Sequence, residues 1–244
     1  MVNVDRPRNS LCEAATAAAW PLRAPPGTTA TMLRIIGGQY KSRRLASPED
    51  TAVTRPYTGL VREAVFNMLR GWFPDARVLD LFAGVGTMGL EAISRGAQHA
   101  TFVEQNRKMA RLLEENIREL ECGDRATIVL GDALSLTALH RAPRPVDIVF
   151  IDPPYRMLKD ETQRRRVFKQ IERCRDLMGE KGFLVLRSPI PPDRMDAEVE
   201  RFEGPEVHQY GKATWVMLYA PRPEKSGEVT AAESPSHASA DDPR

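Results

Sequence analysis

Short apolar, β-branched runs recur along the middle of the chain, and most of them are followed by a segment with helical spacing. Runs of this kind are typical of strands that are buried on both faces of a parallel sheet. Because they alternate with helices, they predict an α/β protein with a doubly wound sheet and helices on both faces. The last two runs have no helix between them, which indicates a terminal antiparallel pair. The predicted strands are Arg77–Phe82, His99–Glu104, Ala126–Leu130, Val146–Ile151, Gly182–Arg187, Glu198–Phe202 and Ala213–Tyr219.

Apolar stripes at helical spacing predict the helices between these strands. One helix is expected near Thr58–Leu69, and a second runs from the glycine-rich segment after the first strand to about Arg95. Asn106 is a typical N-cap and predicts the start of a third. A short helix is expected after the third strand. The stretch Tyr155–Arg175 carries both a helical stripe and eight basic against three acidic residues, a balance of +5.

The segment Leu33–Leu45 predicts a small β-hairpin, because two short strand patterns flank Gly37-Gly38, a pair typical of turns. Between Met32 and Arg70, seven basic and three acidic residues leave a balance of +4. That balance favours an extension that faces phosphates. The alternative is an edge strand that its charge protects from pairing. The candidate RNA-binding residues are Arg34, Lys41, Arg43, Arg44, Arg55 and Arg62.

Composition narrows the class of protein. The 244 residues are 42% hydrophobic and 28% charged, as in ordinary soluble globular proteins. The formal net charge is only +2, so the excess of basic residues is confined to the two segments described above. Three cysteines without metal-ligand spacing argue for a reducing compartment and against a disulfide framework or a metal site. No apolar run reaches the roughly 18 residues of a membrane helix. We expect a cytoplasmic monomer with no membrane partner.

A glycine-rich segment, Gly84-Val-Gly-Thr-Met-Gly89, follows the first predicted strand and precedes a helix. It matches G-x-G-x-x-G, which permits a tight turn and close approach of a ligand to the backbone. Glu104 ends the next strand, where a carboxylate would reach ribose hydroxyls. These features fit a nicotinamide dinucleotide as well as S-adenosylmethionine (SAM). A tight strand–helix turn without a ligand is the purely structural alternative.

Two further acids favour SAM. Asp80 precedes the glycines at the end of its strand, where it suits the cationic methionyl group of SAM and would repel a pyrophosphate. Asp132 follows the third strand and is suitably placed for the adenine amino group. An N-cap for the following helix is an equal interpretation of Asp132.

The fourth strand stops at Asp152-Pro-Pro-Tyr155, at the carboxyl edge where open α/β sheets bind ligands. Two prolines forbid both helix and further ladder pairing, which predicts a stiff, extended corner. The Asp152 carboxylate and the Pro153 carbonyl would orient the exocyclic amine of a base, and Tyr155 would stack on its ring. Methyl transfer also requires that the amine nitrogen, the methyl carbon and the sulfur of SAM lie in line. An ordinary strand-terminating turn is the alternative.

These motifs together resemble the RsmD family, small-subunit rRNA methyltransferases within the class I SAM-dependent amino-methyltransferases. The resemblance covers about Leu33 to Tyr219 and departs at Gly59-Leu60, where the family usually carries an Asp-Arg pair. The segments that carry it are Leu33–Lys41, Arg55-Pro56, Val61–Leu69, Asp80–Gly86, Gly89–Gly96 and Asp152–Tyr155.

The resemblance implies a mostly parallel, seven-stranded Rossmann-like sheet with a small N-terminal β-hairpin extension, and SAM as the cofactor. It implies 16S rRNA in small-subunit particles as the partner, and methylation of the N2 amine of the guanine that family nomenclature numbers 966. Family roles put Asp152, Pro153, Pro154 and Tyr155 at the target base. They put Asp80, Phe82, Ala83, Gly84, Gly86, Glu104, Asp132 and Ala133 around SAM.

The expected organisation has four parts: disordered tails at residues 1–31 and 221–244, an RNA-facing hairpin and helix at 32–71, and a SAM-binding catalytic domain at 72–220. Met32 is a candidate native start. Rival functions remain open from the residues alone. Adenine-N6 or protein-glutamine methylation would use the same corner, and Asp rather than Asn at 152 argues against glutamine. A Rossmann dehydrogenase gives Asp152–Tyr155 no role, and a non-catalytic assembly factor would bind SAM only as a ligand.

Overall fold

The computed structural model describes residues 33–48 and 59–223 of the chain. The strands are Arg77–Leu81 (β1), His99–Glu104 (β2), Ala126–Leu130 (β3), Val146–Ile151 (β4), Met178–Ser188 (β5), Phe202–Tyr210 (β6) and Thr214–Pro221 (β7). The α-helices are Gly59–Met68 (α1), Thr87–Ser94 (α2), Arg107–Glu119 (α3), Leu136–His140 (α4), Tyr155–Lys159 (α5) and Glu161–Cys174 (α6).

One seven-stranded sheet has the strand order β3-β2-β1-β4-β5-β7-β6. Strands β1 to β5 pair in parallel, and β7 runs antiparallel to both β5 and β6. The predicted mostly parallel sheet with a terminal antiparallel pair is therefore confirmed. The strand order reverses direction between β1 and β4, and ligands of open α/β sheets bind in the crevice at the carboxyl ends of such a strand pair.

Alternate residues of the central strands face two separate cores. On one face Val78, Phe102 and Phe150 pack with α1, α2 and α3, and on the other Leu79 and Val149 pack with α4, α5 and α6. All five side chains are fully buried. Burial of a side chain of this size contributes about 1.5–3 kcal/mol to folding, so the two cores together stabilise the sheet. The predicted helices on both faces are confirmed.

The sixth strand is the element whose prediction is wrong. The apolar pattern predicts Glu198–Phe202, whereas the strand is Phe202–Tyr210. Gly204-Pro205 interrupts the alternation that identifies strands, and a proline cannot donate to a ladder. The structure accommodates it because β6 is an edge strand whose register with β7 shifts between Glu203 and Glu206.

Two other elements differ in extent from the prediction. β5 begins at Met178 rather than Gly182, because its pairing with β4 is irregular at its start and admits the glycine- and charge-rich residues 179–182. The helical stretch after the Asp-Pro-Pro-Tyr corner is two helices, since Asp160 ends α5 and caps α6 by accepting from the Gln163 amide at 2.8 Å.

The N-terminal segment is a hairpin with a single antiparallel bridge, between Arg34 and Arg44, rather than two regular strands. The Ile35 amide donates to the Arg43 carbonyl at 3.0 Å. The chain reverses through residues 37–42, a longer turn than the predicted Gly-Gly pair. The predicted hairpin is thus present with fewer ladder bonds.

Glu91 of α2 anchors this hairpin. Its fully buried carboxylate accepts from the Ile36 amide at 2.7 Å and the Gly37 amide at 2.8 Å, and pairs with Arg95 at 2.9 Å. A buried charge is tolerated when donors satisfy it, and here three donors do so. The hairpin is therefore held to the helix layer by polar bonds as well as by its apolar side chains.

The predicted second tail starts too early, because Pro221 is the last residue of β7 and the Arg222 amide donates to the Arg201 carbonyl at 3.0 Å. Several expectations fall outside the described residues: the first tail, the rest of the second tail, the start at Met32 and the Arg55-Pro56 pair. Among residues 33–48 and 59–223, no helix is long and apolar enough to cross a membrane.

The variant Glu91→Ala tests the anchoring role. It leaves two partly buried amides and the Arg95 guanidinium without their acceptor, so we expect the free energy of unfolding to fall by about 2–4 kcal/mol. Urea unfolding measures this loss, and hydrogen exchange should show lost protection at the Ile36 and Gly37 amides. Glu63→Ala, at an exposed position of α1, is the matched control. Unchanged protection at both amides in Glu91→Ala would contradict the assignment.

Candidate active site

The loop between β1 and α2 is built from left-handed residues. Phe82, Gly84 and Gly86 have φ of 66°, 57° and 86°, and the Gly86 amide closes the turn on the Ala83 carbonyl at 2.8 Å. A Cβ on Gly86 would lie 2.4 Å from the Leu113 side chain, so the position requires glycine for space as well as for conformation. The loop brings the backbone to the carboxyl edge of the sheet.

Asp80 links the end of β1 to the first turn of α2. Its carboxylate accepts from the Gly89 amide at 2.9 Å, and the residue is 2% exposed. Burial raises the pKa of Asp80 from 3.8 to about 7; the Gly89 hydrogen bond opposes this shift, and the charges of Asp152 and Glu104 add to it. A cation bound beside Asp80 would stabilise the ionised form of this carboxyl group and would be attracted to it.

Glu104 ties the end of β2 to the same loop. One carboxylate oxygen accepts from the Gly84 amide at 2.8 Å and the other from the Asn106 amide at 2.7 Å. A carboxylate has about four acceptor sites, so two anchoring bonds leave capacity for the two hydroxyls of a ribose. The buried Glu104 is therefore held in one orientation with acceptor capacity to spare.

Asp132 lies after β3 with a half-exposed side chain. It accepts from the Leu134 amide at 2.9 Å and lies 3.5 Å from the Arg166 guanidinium. The N-cap of α4 is Ser135, whose hydroxyl accepts from the Ala138 amide, so the interpretation of Asp132 as that cap is wrong. Ala133, next to Asp132, is buried, and its carbonyl accepts from Gln170.

The Asp-Pro-Pro-Tyr corner follows β4, which pairs with β1 up to Ile151 and Leu81. The Asp152 amide lies 3.5 Å from the Leu81 carbonyl, so the corner starts directly beside the glycine loop. Pro153 is buried, while Pro154 is exposed and extended. The predicted exclusion of helix applies to the prolines only, because Tyr155 is already the first residue of α5.

Arg187 of β5 completes this corner, and sequence reasoning missed it. Its Nε and Nη2 donate to the two Asp152 carboxylate oxygens, each at 2.6 Å, and its guanidinium carbon lies 5.6 Å from the centre of the Tyr155 ring. Burial raises the pKa of Asp152, and the charge and hydrogen bonds of Arg187 oppose that shift. The available signal was an arginine near the end of an otherwise apolar strand, Phe183-Leu-Val-Leu-Arg187.

The predicted RNA-binding residues that the structure describes differ in exposure. Arg62 is 3% exposed and donates to the Arg34 carbonyl, so its predicted contact with RNA does not fit its buried position. Arg43 is exposed and donates to the Glu119 carbonyl at the end of α3. Lys41 and Arg44 are exposed, and Arg55 lies outside the described residues.

The hairpin turn contacts the C-terminal end of α2, whereas the glycine loop adjoins the N-terminal end of that helix. The Gln39 amide donates to the Ser94 carbonyl at 2.8 Å, and the Tyr40 amide to the Ser94 hydroxyl at 2.9 Å. Ser94 is the last residue of α2, whose first residue adjoins the loop, and a helix of 8 residues is about 12 Å long. Lys41 follows Tyr40 in this turn.

This sheet with its loop and corner defines a class I methyltransferase fold. The solved structure of the Escherichia coli yhhF protein matches it with a TM-score of 0.64 and 30% identity, over 78% of this chain and 98% of that chain. Thermus thermophilus TrmN shares the fold, with a TM-score of 0.55 and 21% identity, over 67% of this chain and 48% of that chain.

A family model described as "Conserved hypothetical protein 95" matches residues 33–219. A relative, the ribosomal RNA small subunit methyltransferase D of Escherichia coli K12, is 41% identical over 142 residues, which are 58% of this chain and 70% of that protein. The chain belongs to this family, the RsmD family, as its motifs indicated, and is a methyltransferase.

Asp80→Asn tests the environment of the buried acid, because the amide keeps an acceptor for Gly89 and removes the charge. With its pKa raised to about 7, folded Asp80 keeps a proton that the unfolded chain releases above about pH 4. The stability of the wild type relative to Asp80→Asn should therefore fall by roughly 2–4 kcal/mol as the pH rises from about 4 to about 7, and then level off. Urea unfolding across this range measures it. A pH-independent difference would contradict the argument.

Proposed function

We propose that this methyltransferase transfers a methyl group from SAM to the exocyclic N2 amine of a guanine in 16S rRNA. One observation carries the proposal: the Asp152–Tyr155 corner begins 3.5 Å from the Leu81 carbonyl, directly beside the glycine loop. A donor held by the loop and a base held by the corner would therefore meet at one sheet edge. Such proximity is the main requirement of a transfer between two bound molecules.

SAM fits the acids around the loop. Asp80 lies behind the loop with a raised pKa, so a cationic methionyl group would find a partner that gains from its charge. Glu104 is oriented for the ribose by its two amide bonds, and the half-exposed Asp132 is available to the adenine amino group. A dinucleotide would bring a pyrophosphate towards these acids, which disfavours the dehydrogenase alternative. When bound, SAM supplies a methyl carbon that its sulfonium has already activated.

The corner supplies acceptors and a stacking surface. The Asp152 carboxylate and the Pro153 carbonyl would accept from the two hydrogens of an exocyclic amine, which keeps its lone pair directed at the methyl carbon. Tyr155 would stack on the base, an interaction worth roughly 1–3 kcal/mol. Chemistry on a base requires that it leave its stack, so the proposal includes a flipped or unpaired target.

The choice of RNA and of guanine rests on the family. The Escherichia coli relative is named as a ribosomal RNA small subunit methyltransferase, which supports ribosomal RNA as the substrate here. The RsmD resemblance adds the N2 amine of guanine, in an assembling small subunit. Adenine N6 is the nearest alternative, because the same corner would accept its amine.

An Asp152→Asn variant tests the corner. Labelled methyl from SAM should enter N2-methylguanosine when the wild type acts on unmodified small-subunit particles. Asp152→Asn should be at least about 100-fold slower, because an NH2 group replaces one of the two oxygens that accept from Arg187 and the side chain loses its fixed orientation. Its affinity for SAM should stay within a few-fold of the wild type. Asp124→Asn, an exposed position in the turn before β3, is the control.

The outcomes separate the alternatives. Label in N6-methyladenosine would keep the mechanism and overturn the base assignment. An Asp152→Asn variant with full activity would exclude the corner as the acceptor site, and binding of SAM with no transfer to any RNA would favour the non-catalytic alternative.

A basic surface flanks the corner and is the better candidate for holding RNA. The α5–α6 basic face consists of the exposed residues Arg156, Lys159, Arg165, Arg166 and Lys169. Arg156 directly follows Tyr155, and Arg166 approaches Asp132, so the face spans both ends of the crevice. Phosphates on either side of a flipped base would lie against it.

Paired double variants compare the two basic regions. Arg156→Gln with Lys159→Gln should weaken RNA binding, and the slope of log K against log salt should become less steep by about 1–2, since each lost phosphate contact contributes about 0.7–0.9. Lys41→Gln with Arg44→Gln, on the hairpin, should change the slope less. Fluorescence anisotropy with an rRNA fragment at several salt concentrations measures both. A larger effect of the hairpin pair would make the hairpin the RNA face.

A further inference from the structure

We propose that Arg187 is a positioning residue for methyl transfer: it holds the Asp152 carboxylate as an oriented anion against Tyr155. The inference rests on the proposed function of the corner. Its basis is the bidentate pair, with both bonds at 2.6 Å, between side chains that are 7% and 18% exposed. Two parallel bonds from a planar guanidinium fix the plane of a carboxylate in a way that one bond cannot.

The surroundings of Asp152 explain why it needs this partner. Arg187 faces it from β5, Asp80 lies on β1 near enough for the charge of Asp152 to raise the Asp80 pKa, and Tyr155 adjoins it from its own corner. Burial disfavours the ionised form of Asp152 and raises its pKa. If Asp152 were protonated, its O–H group would be a donor facing the N–H donors of the amine, and it would not accept from them. Arg187 supplies a positive charge beside Asp152, and its two hydrogen bonds favour the form in which both carboxylate oxygens are acceptors.

Arg187 also sets the position of Tyr155 relative to Asp152. Its guanidinium carbon lies 5.6 Å from the ring centre, within the range of a cation–π contact. One side chain of β5 therefore contacts both groups that would touch the base, the amine acceptor and the stacking ring. Because β5 lies inside the sheet, between β4 and β7, its own position is fixed by ladders on both sides.

The pair also defines the part that Asp152 takes in the reaction. During transfer the C–S bond breaks, the sulfur keeps the electron pair, and the amine nitrogen forms the new bond to carbon. The nitrogen then loses a proton to solvent. A carboxylate paired with arginine is a weak base, so Asp152 directs the amine through its N–H bonds and does not remove a proton before transfer.

The pH dependence of single-turnover methyl transfer tests the inference. Without Arg187 the acid limb should move to higher pH by about 1–3 units, since a charge at this distance shifts a carboxyl pKa by that amount. The variant Arg187→Met should therefore lose more activity at the acid end of the pH range than at the alkaline end. Arg187→Lys keeps the charge and should leave the acid limb close to its wild-type position at a lower plateau. Affinity for SAM should remain within a few-fold in both.

Arg175→Met is the matched control for loss of a buried arginine. Arg175 is 5% exposed and donates to the carbonyls of Met178 and Arg222, away from the corner. It should lower stability without moving the acid limb. An acid limb in Arg187→Met that coincides with that of the wild type, or an equal loss of activity at every pH that Arg187→Lys does not relieve, would overturn the inference.

Carbon NMR titration of the Asp152 carboxyl group gives a second readout that needs no substrate. Its pKa should be higher in Arg187→Met than in the wild type, and Arg187→Gln, which also removes the charge, provides the same comparison if Arg187→Met does not fold. A titration unchanged in the folded variant would overturn the inference even where activity is lost. A wild-type protein that transfers no methyl group would instead refute the proposed function, and this titration would still report on the ion pair.

Discussion

The hydrogen bond from the Gly89 amide to the Asp80 carboxylate is the contact on which the site depends. It joins the end of β1 to the first turn of α2, so the loop between them has a fixed span. It also satisfies an acid that is almost completely buried. Gly89 is required there for space, because a Cβ would lie 2.3 Å from the buried Phe102 ring. The close approach of α2 to the sheet and the burial of Asp80 are thus two consequences of one contact.

Acids held by donors of the protein occur along the whole carboxyl edge of the sheet. Asp80, Glu104 and Asp152 end three neighbouring strands, and each carboxylate is oriented by donors of the protein itself. Backbone amides hold the first two, whereas a guanidinium holds the third. Donors that are already in place reduce the cost of ordering the site when ligands bind. This difference matches the proposed roles: the two acids held by amides would bind the methyl donor, and the acid held by a guanidinium would bind the base.

The local part of this architecture could be predicted from the sequence. Asn106 caps α3 by accepting from two amides within three residues of itself, and β2, β3 and β4 have the predicted bounds, because these features depend on near neighbours. The Arg187–Asp152 pair joins residues 35 positions apart, and no local pattern records it. Arg62 lies off the apolar stripe of its helix, yet it is buried beneath the hairpin, which periodicity along one helix cannot reveal.

The hairpin combines exposed positive charge with fixed contacts to the helix layer. Positive residues near a predicted RNA-modifying site favour an arm that reaches towards phosphates. In the structure Glu91 and Ser94 hold the hairpin against α2, with its turn beside the end of that helix that lies away from the loop. Exposed positive charge beside the corner comes instead from α5 and α6. This places a basic surface at the crevice and gives the N-terminal segment a role in the core.

The most direct test of this account is a crystal structure with S-adenosylhomocysteine, the product that methyl transfer would leave. We expect the amino acid end of the ligand to bind beside Asp80 and the glycine loop and its ribose to bind Glu104. Its sulfur should face the Asp152–Tyr155 corner. A ligand bound elsewhere, or one whose sulfur faces away from Asp152, would contradict the claim that the loop and the corner form one active site.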